Sequence, residues 1–420
     1  MDTLHDKGVV RLLQTLLAAL LLSAAAPAQT PNSCLDCHSV LDPPFKVTQE
    51  QFSQDIHAQK GLTCASCHGG DPSKDDQDAM SMKAGFRGKI ARRDVPALCG
   101  RCHADGAYMR QYDPSLRTDQ FAQYLTSVHG KLRAKGDDKV AVCSDCHGVH
   151  DLRPASDTRS KVHPLNIAQT CARCHADAAY MKGYSIPTDQ FAGYSASVHH
   201  EALMVRGDLS APTCTTCHGN HGAAPPGVST VQNVCSTCHV FQAQLFESSP
   251  HKAAFEAASL PGCVTCHSNH RINHPTDAML GTGPQSVCTN CHTEGDAGYR
   301  AAAQIAQQIE HLDGSVKNAA EILDRAESAG MEVSDAQLEQ DQARDSLTKS
   351  RVAVHSFNPA QVQQEIEAGV QITVKTHGAG VAAMRERDYR RKGLALSLLA
   401  IVAVVIGLRL YVRQIERRPS

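Results

Sequence analysis

The chain of 420 residues carries 41 Lys plus Arg against 43 Asp plus Glu, a formal net charge of −2, so it shows no basic footprint for nucleic acid. Tryptophan is absent and Phe and Tyr number nine each, a thin aromatic supply for an ordinary core, whereas 18 cysteines and 23 histidines stand out. A chain this long allows two or three domains.

Residues 1–28 read as a signal peptide. Lys7 and Arg11 precede the apolar run from Leu12 to Leu22, and Ala26-Pro27-Ala28 has the small-x-small form of a cleavage site. The run is short for a membrane-spanning helix.

From residue 34 to 292 every cysteine falls in a Cys-x-x-Cys-His motif, which leaves none for disulfides. The nine pairs are Cys34/Cys37, Cys64/Cys67, Cys99/Cys102, Cys143/Cys146, Cys171/Cys174, Cys214/Cys217, Cys235/Cys238, Cys263/Cys266 and Cys288/Cys291. Each is followed at once by its histidine: His38, His68, His103, His147, His175, His218, His239, His267 and His292. Zinc sites would pair cysteines without needing histidine after every second one. Nine of nine is the c-type haem signature, in which two thioethers hold the porphyrin and the adjacent imidazole binds iron. Nine covalently attached haems c are expected.

The flanks reveal a two-haem repeat. Cys99 to His129 is nearly copied by Cys171 to His199, and Ala-Asp-x-Ala-Tyr-Met follows the motif in both. Between each odd motif and the next even one lies a free histidine: His57, His129, His199 (beside His200) and His251. Three positions beyond an even motif lie His150, His221 and His270, whereas the first unit has Asp71 there. Recurrence in fixed slots marks both sets as candidate distal ligands. His163 and His274, each before a proline, are added to them. Met80 and Met82 in the first unit are read as packing residues. Pro, Gly and Asp fill the connections, as at Asp42-Pro43-Pro44 and Pro225-Pro226-Gly227, so the fold class is mainly α with much irregular structure and negligible sheet.

After His292 cysteine disappears and helical periodicity begins. Ile305, Ile309, Leu312, Val316, Ala319 and Leu323 form a stripe, and Gly330 is placed to end that helix. Ser334 and Gln337 suggest a capping box opening a second helix, with Leu338 and Leu347 on its face. Asn358-Pro359 opens a third. Residues 394–412 are long and apolar enough to span a bilayer if Arg409 snorkels. Basic residues flank this segment on both sides, so charge does not orient it.

The organisation expected is a signal peptide over 1–28, a nonahaem domain over 29–298, a long-helix region over 299–388, a transmembrane helix over 389–413 and a short cytoplasmic tail over 414–420. Haem attachment outside the cytoplasm places the bulk of the chain on the periplasmic side of a bacterial inner membrane.

The haem region resembles bacterial periplasmic multihaem c-type cytochromes, the group containing cytochrome c nitrite reductase, hydroxylamine oxidoreductase and their electron-transfer relatives. The resemblance implies bis-histidine haems in close pairs. The helices around Val-His-Ser-Phe-Asn-Pro are similar to that group's C-terminal helices, where a His-x-Asn-Pro-like junction can supply a distal ligand. That makes His355 a candidate, with Phe357 standing as an extra residue before Asn358. The lysine that replaces the motif histidine at the catalytic haem of nitrite reductases has no counterpart here. The expected activity is electron transfer between a membrane quinol or dehydrogenase module and a periplasmic or outer-membrane acceptor, with redox proteins as partners and no catalytic residue assigned. The alternative is a multihaem oxidoreductase acting on a small nitrogen or sulfur compound at one open haem.

Overall fold

The computed structural model describes residues 32–222, 228 and 231–416. The leader over 1–28, the Pro225-Pro226-Gly227 turn and the end of the tail lie outside the described residues. The chain is 64% helical, and the described residues contain no strand. It divides into two compact units. One comprises Met1–Asp177, Thr213–Thr215 and Gly219–Ala223; the other comprises Ala178–Pro212, Thr216–His218 and Ala224–Ser420.

The first unit is built from short helices joined by turns. Several end on a haem motif, as Ser33–His38, Cys64–His68, Val95–His103, Cys143–His147 and Pro164–His175 do. Helical geometry suits the motif: cysteines at i and i+3 and the histidine at i+4 share one face. Few large apolar side chains are buried in this unit, with Leu35, Met109, Val140 and Val142 among them. Helices of four to twelve residues cannot sustain themselves in water, so this region depends on the groups it wraps.

The second unit contains further short helices and then three long ones: α1 (Ala297–Ser328), α2 (Ser334–Ala353) and α3 (Pro359–Glu416). The six-residue stripe of α1 is buried throughout; Ile305, Ile309, Leu312 and Val316 meet Ala343 and Leu347 of α2 and Val362 and Ile366 of α3, and Leu323 packs with Ala326 and Val333. Gln340 ties the three together. It is 1% exposed, its Nε2 donates to the Val316 carbonyl (2.9 Å), and its Oε1 accepts from the Thr376 hydroxyl (2.5 Å). Gly369 allows close approach, because a Cβ there would stand 2.8 Å from Leu312 Cδ1.

Three details at the helix ends follow from local chemistry. Gly330 has φ +77° just past α1, the left-handed stop that glycine adopts without a Cβ penalty. Asn358 opens α3 by accepting the Ala360 amide (3.0 Å). The start of α2 differs from the sequence expectation: Ser334 lies inside the helix, and its backbone and hydroxyl both donate to Glu332. Leu338 is 70% exposed, and Gln340, Ala343 and Leu347 take the inner face instead.

α3 runs unbroken for 58 residues, roughly 87 Å at about 1.5 Å per residue. Its first half packs in the bundle. Its apolar second half, from Leu394 to Ile415, is exposed along its length and long enough to cross a membrane. One long apolar C-terminal helix is compatible with a single-pass anchor.

Candidate haem sites

Four of the between-motif histidines are positioned by one device. Asp55, Ser127, Ser197 and Ser249 each stand two residues ahead of one and take the N-cap position of its helix, and all four are buried. Ser127 Oγ donates to the Tyr124 carbonyl (2.6 Å) and accepts the Gly130 amide (3.0 Å). Ser197 repeats this with the Tyr194 carbonyl (2.6 Å) and the His200 amide (3.2 Å). Asp55 does more, accepting the His57 amide (2.8 Å), the His57 ring nitrogen Nδ1 (3.1 Å) and the Leu152 amide (3.0 Å). Burial works against its charge, but the hydrogen bonds from His57 and Leu152 outweigh it and hold the carboxyl below its ordinary range.

The plus-three histidines are set by a turn. The residue after the even motif histidine has positive φ in every case: Gly69 (+69°), Gly148 (+89°), Gly219 (+78°) and Ser268 (+63°). His150 (+62°) and His270 (+44°) are themselves left-handed, a conformation that costs a non-glycine residue energy and is held by its surroundings.

The outcome is eight pairs of histidine rings, each joining a motif histidine to a free one. Their centroids are 6.0 Å apart for His57–His103, 6.1 Å for His68–His150, 6.1 Å for His129–His175 and 6.1 Å for His147–His221. They are 6.4 Å apart for His199–His239, 5.9 Å for His218–His270, 5.9 Å for His251–His292 and 6.0 Å for His267–His355. Two metal–nitrogen bonds of about 2 Å, plus about 1 Å from each nitrogen back to its ring centre, give roughly 6 Å. Each pair therefore fits one iron between two imidazoles. Among the described residues no three or more His, Cys, Asp or Glu side chains converge as a bare metal ion would need. The planar ligands would have to come from a porphyrin, and the adjacent cysteines are the residues that would hold it.

The pairing crosses the repeats. Every between-motif histidine faces the odd motif histidine of the next unit, and every plus-three histidine faces the even motif histidine of the unit before. His355, on the single turn between α2 and α3, faces His267, and its Nδ1 donates to the Val352 carbonyl (2.9 Å). His38 belongs to no ring pair; its Nδ1 lies 2.8 Å from the Phe45 carbonyl.

Burial keeps most of these imidazoles neutral, the form that binds metal. It lowers the pKa of His103, His129, His150, His175, His199, His221, His251, His267 and His355, and takes His147 down to about 4.

The remaining candidates lie elsewhere. His163 is buried as a helix N-cap, its Nδ1 accepting the Leu165 amide (3.3 Å), and it faces no motif histidine. His274 engages the Pro275 carbonyl through Nδ1 (2.9 Å) and is likewise unpaired with a motif ring. His200 packs edge-on to Tyr194, which leaves the slot to its neighbour His199. Sequence reasoning treated Phe357 only as an extra residue at the helix junction. Its ring lies 3.8 Å from that of His251, and its backbone is left-handed at φ +54°. Recurrence could not reveal it, because it occurs once. The buried [Asp/Ser]-x-His cap, by contrast, was there to be found in four copies.

The sulfurs show the same order along the chain, and none of the 18 is bridged in a disulfide. Within units, the first cysteines meet: Cys99 with Cys143, Cys171 with Cys214, and Cys235 with Cys263 are within hydrogen-bond reach. In the first unit burial and then the nearby Cys64 push the Cys34 thiol up. Between units, the second cysteine of each even motif lies near the next odd motif. Burial acts first on Cys67, Cys146 and Cys266, which then feel Cys102, Cys174, and both Cys288 and Cys291. Cys235 responds first to its hydrogen bond with Cys263 and more weakly to Cys217.

The surroundings of the second cysteines differ. Cys174 and Cys217 are half-buried, whereas Cys238 and Cys291 are exposed. The Thr237 hydroxyl lies 3.8 Å from Cys238 Sγ. Motif geometry explains the split: the first cysteine of each unit faces its counterpart in the same unit, and the second sits one helical turn further on.

Residues 56–176 match the cytochrome c3 family. That span holds four Cys-x-x-Cys-His motifs and three of the ring pairs. The match supports a multihaem c-type cytochrome. It implies covalently bound haem c, an electron-transfer role and redox partners. No curated protein and no solved structure matches the chain.

Proposed function

We propose that this chain is a membrane-anchored, exported cytochrome carrying nine haems c, one per Cys-x-x-Cys-His motif, that passes electrons along the row of motifs. The observation that carries the reading is the set of eight histidine pairs, which supply both axial positions from the protein and leave those irons no place for substrate. Bound haem supplies the one-electron iron couple; the protein's part is spacing, axial ligation and exclusion of water. Adjacent cysteines place consecutive attachment points side by side, and buried neutral imidazoles keep the ligand sets intact near neutral pH.

The expected path runs from a quinol or dehydrogenase module of the inner membrane to a periplasmic or outer-membrane acceptor, within a respiratory chain. The leader reading over 1–28 and the chemistry of haem attachment support export. The apolar half of α3 supports a single-pass anchor, with the residues before it on the periplasmic side.

Intact mass and the pyridine haemochrome of the purified full chain test this directly. Nine haems per polypeptide lacking about 28 N-terminal residues are expected, and a variant ending at residue 388 should leave the membrane fraction with its haems. A haem count well below nine, or zinc in place of iron, would refute the proposal.

A further inference from the structure

Ring pairing is governed by a rule of register, and the rule has two ends. An odd motif takes its second imidazole from the unit before it; an even motif takes its own from the unit after. At the C-terminal end the eighth motif has no following unit with a plus-three histidine, and His355 of the helical tail stands in. At the N-terminal end the first motif has no preceding unit, and nothing in the described chain stands in.

The thirteen histidines outside the motifs and His5 are otherwise accounted for. Eight face other motif histidines, His163 caps a helix, His200 packs on Tyr194, His274 engages Pro275, and His311 and His377 are exposed on α1 and α3. Outside the described residues His5 is the sole histidine, within the expected leader. His38 is nonetheless oriented as an axial ligand: with its Nδ1 hydrogen on the Phe45 carbonyl, Nε2 remains for metal.

We infer that the Cys34/Cys37/His38 site holds its haem by His38 alone and leaves the opposite axial position to a small ligand from outside the chain. The inference rests on the nonahaem reading and deepens it. Access is provided, since Cys37, Val40 and Phe45 around the motif are exposed. The class of ligand follows from charge. Asp36 and Asp42 in the motif segment, and Asp71 beside Pro72, whose carbonyl accepts the Ser33 hydroxyl (2.9 Å), outnumber Lys46 and the Lys74 that faces Asp71. Such a field disfavours oxyanions and favours small neutral ligands, for which carbon monoxide and nitric oxide are probes.

The test uses the purified full-length protein in detergent. The oxidised protein should show one high-spin ferric haem by electron paramagnetic resonance, and the reduced protein should bind one CO per nine haems. Cys34→Ala/Cys37→Ala should remove one haem and all CO binding. His57→Ala, which opens the third site, should raise CO binding from one to two per chain.

The failures separate cleanly. Should His57→Ala bind one CO while the parent binds none, the ring pairing stands and the open first site is overturned. If neither binds CO, the pairing that underlies the electron-carrier reading falls as well. A first haem that is low-spin with the far-red band of methionine ligation, one that turns high-spin in His163→Ala, or one that is low-spin only in a dimer would each overturn the inference by naming the missing ligand.

Discussion

Asp55→Asn isolates what a single buried carboxylate does to one haem. Among the four buried N-caps, Asp55 alone carries charge, and it alone reaches the ring of its histidine, at 3.1 Å from His57 Nδ1. Its side chain is only 5% exposed, so solvent screens it little. Asparagine keeps one oxygen, which can still accept the His57 amide at the helix start, while the Leu152 amide, bound by the second carboxylate oxygen, loses its acceptor. The carboxylate makes His57 a stronger electron donor and stabilises the ferric state of the site that it shares with His103. A hydrogen bond to a charged acceptor is worth about 1.5–3 kcal/mol against about 0.5–1.5 for a neutral one. A difference of about 1 kcal/mol or slightly more corresponds to roughly 40–60 mV for a one-electron couple, at about 59 mV per tenfold. In a spectroelectrochemical titration, one of the nine midpoints should rise by that amount while the others hold. The pH dependence has a definite sign. Because the folded carboxyl titrates below its ordinary value, its stabilising effect is present above the unfolded carboxylate range and is lost as pH falls through the lower folded value. The parent's third-site midpoint should therefore be flat above about pH 4, the ordinary carboxylate range, and climb below it, and the variant should lack that climb. Unchanged midpoints in Asp55→Asn would show that the carboxylate does not act through His57.

Other outcomes follow from the same geometry. Phe357→Ala removes the ring stacked on His251, whose Nδ1 is buried without a partner; the hold of His251 on the ninth site should weaken by about tenfold or more, seen as a second equivalent of CO binding, whereas an unchanged spectrum would assign Phe357 to the core alone. Gln340→Leu leaves the Val316 and Thr376 groups without their inter-helix partner and should cost about 1–2 kcal/mol in thermal unfolding of the holoprotein, less than the loss of a haem ligand and without change in spin state. The planes of the paired imidazoles run from a near-parallel group, 4°, 17° and 20° at His147, His218 and His267, through 35°, 38° and 58° at His68, His239 and His175, to a near-perpendicular group, 78° and 76° at His103 and His292. Electron paramagnetic resonance of the oxidised protein should resolve rhombic low-spin signals from the first group and strongly anisotropic ones from the second; a single uniform class would contradict the ring geometry.

The attachment chemistry was legible in the sequence because covalent chemistry requires Cys-x-x-Cys-His in contiguous residues. The slots of the free histidines were legible too, through repetition. Which ring meets which was hidden, because it depends on backbone turns: the positive φ at Gly148, Gly219 and Ser268 accompanies the return of His150, His221 and His270 to the preceding unit. The α1 stripe could be read from periodicity alone, since six apolar residues at helical spacing have one buried solution. α2 could be read only in part, because beside Leu347 its inner face is Gln340, Ala343, Ser346, Ser350 and Ala353, small or polar residues that carry little apolar signal. Leu338 therefore looked like a core residue and is a surface one. His355 came from a resemblance at a helix junction and no pattern within the repeat; its neighbour Phe357, which looked like an interruption, packs on the ring of His251.

Because the ring pairs are formed between units, no two-motif unit contains both imidazoles of a pair. The repeat is a one-dimensional array in which each element is finished by its neighbours, and such arrays need distinct ends. The two ends here are unlike. Toward the C-terminus the array is closed: His355 faces His267, Phe357 packs on His251, and the Arg351 guanidinium clamps Asp277 through two hydrogen bonds of 2.9 and 2.6 Å, fixing the loop ahead of the ninth motif to α2. Toward the N-terminus, no comparable helix or histidine covers the first motif among the described residues. A row of sites with both axial positions filled carries electrons without chemistry at its iron, so ligand exchange is confined to whichever end lacks its donor. The register rule makes that the first site, and the unlike ends of the array follow from how the repeat hands its histidines forward and back.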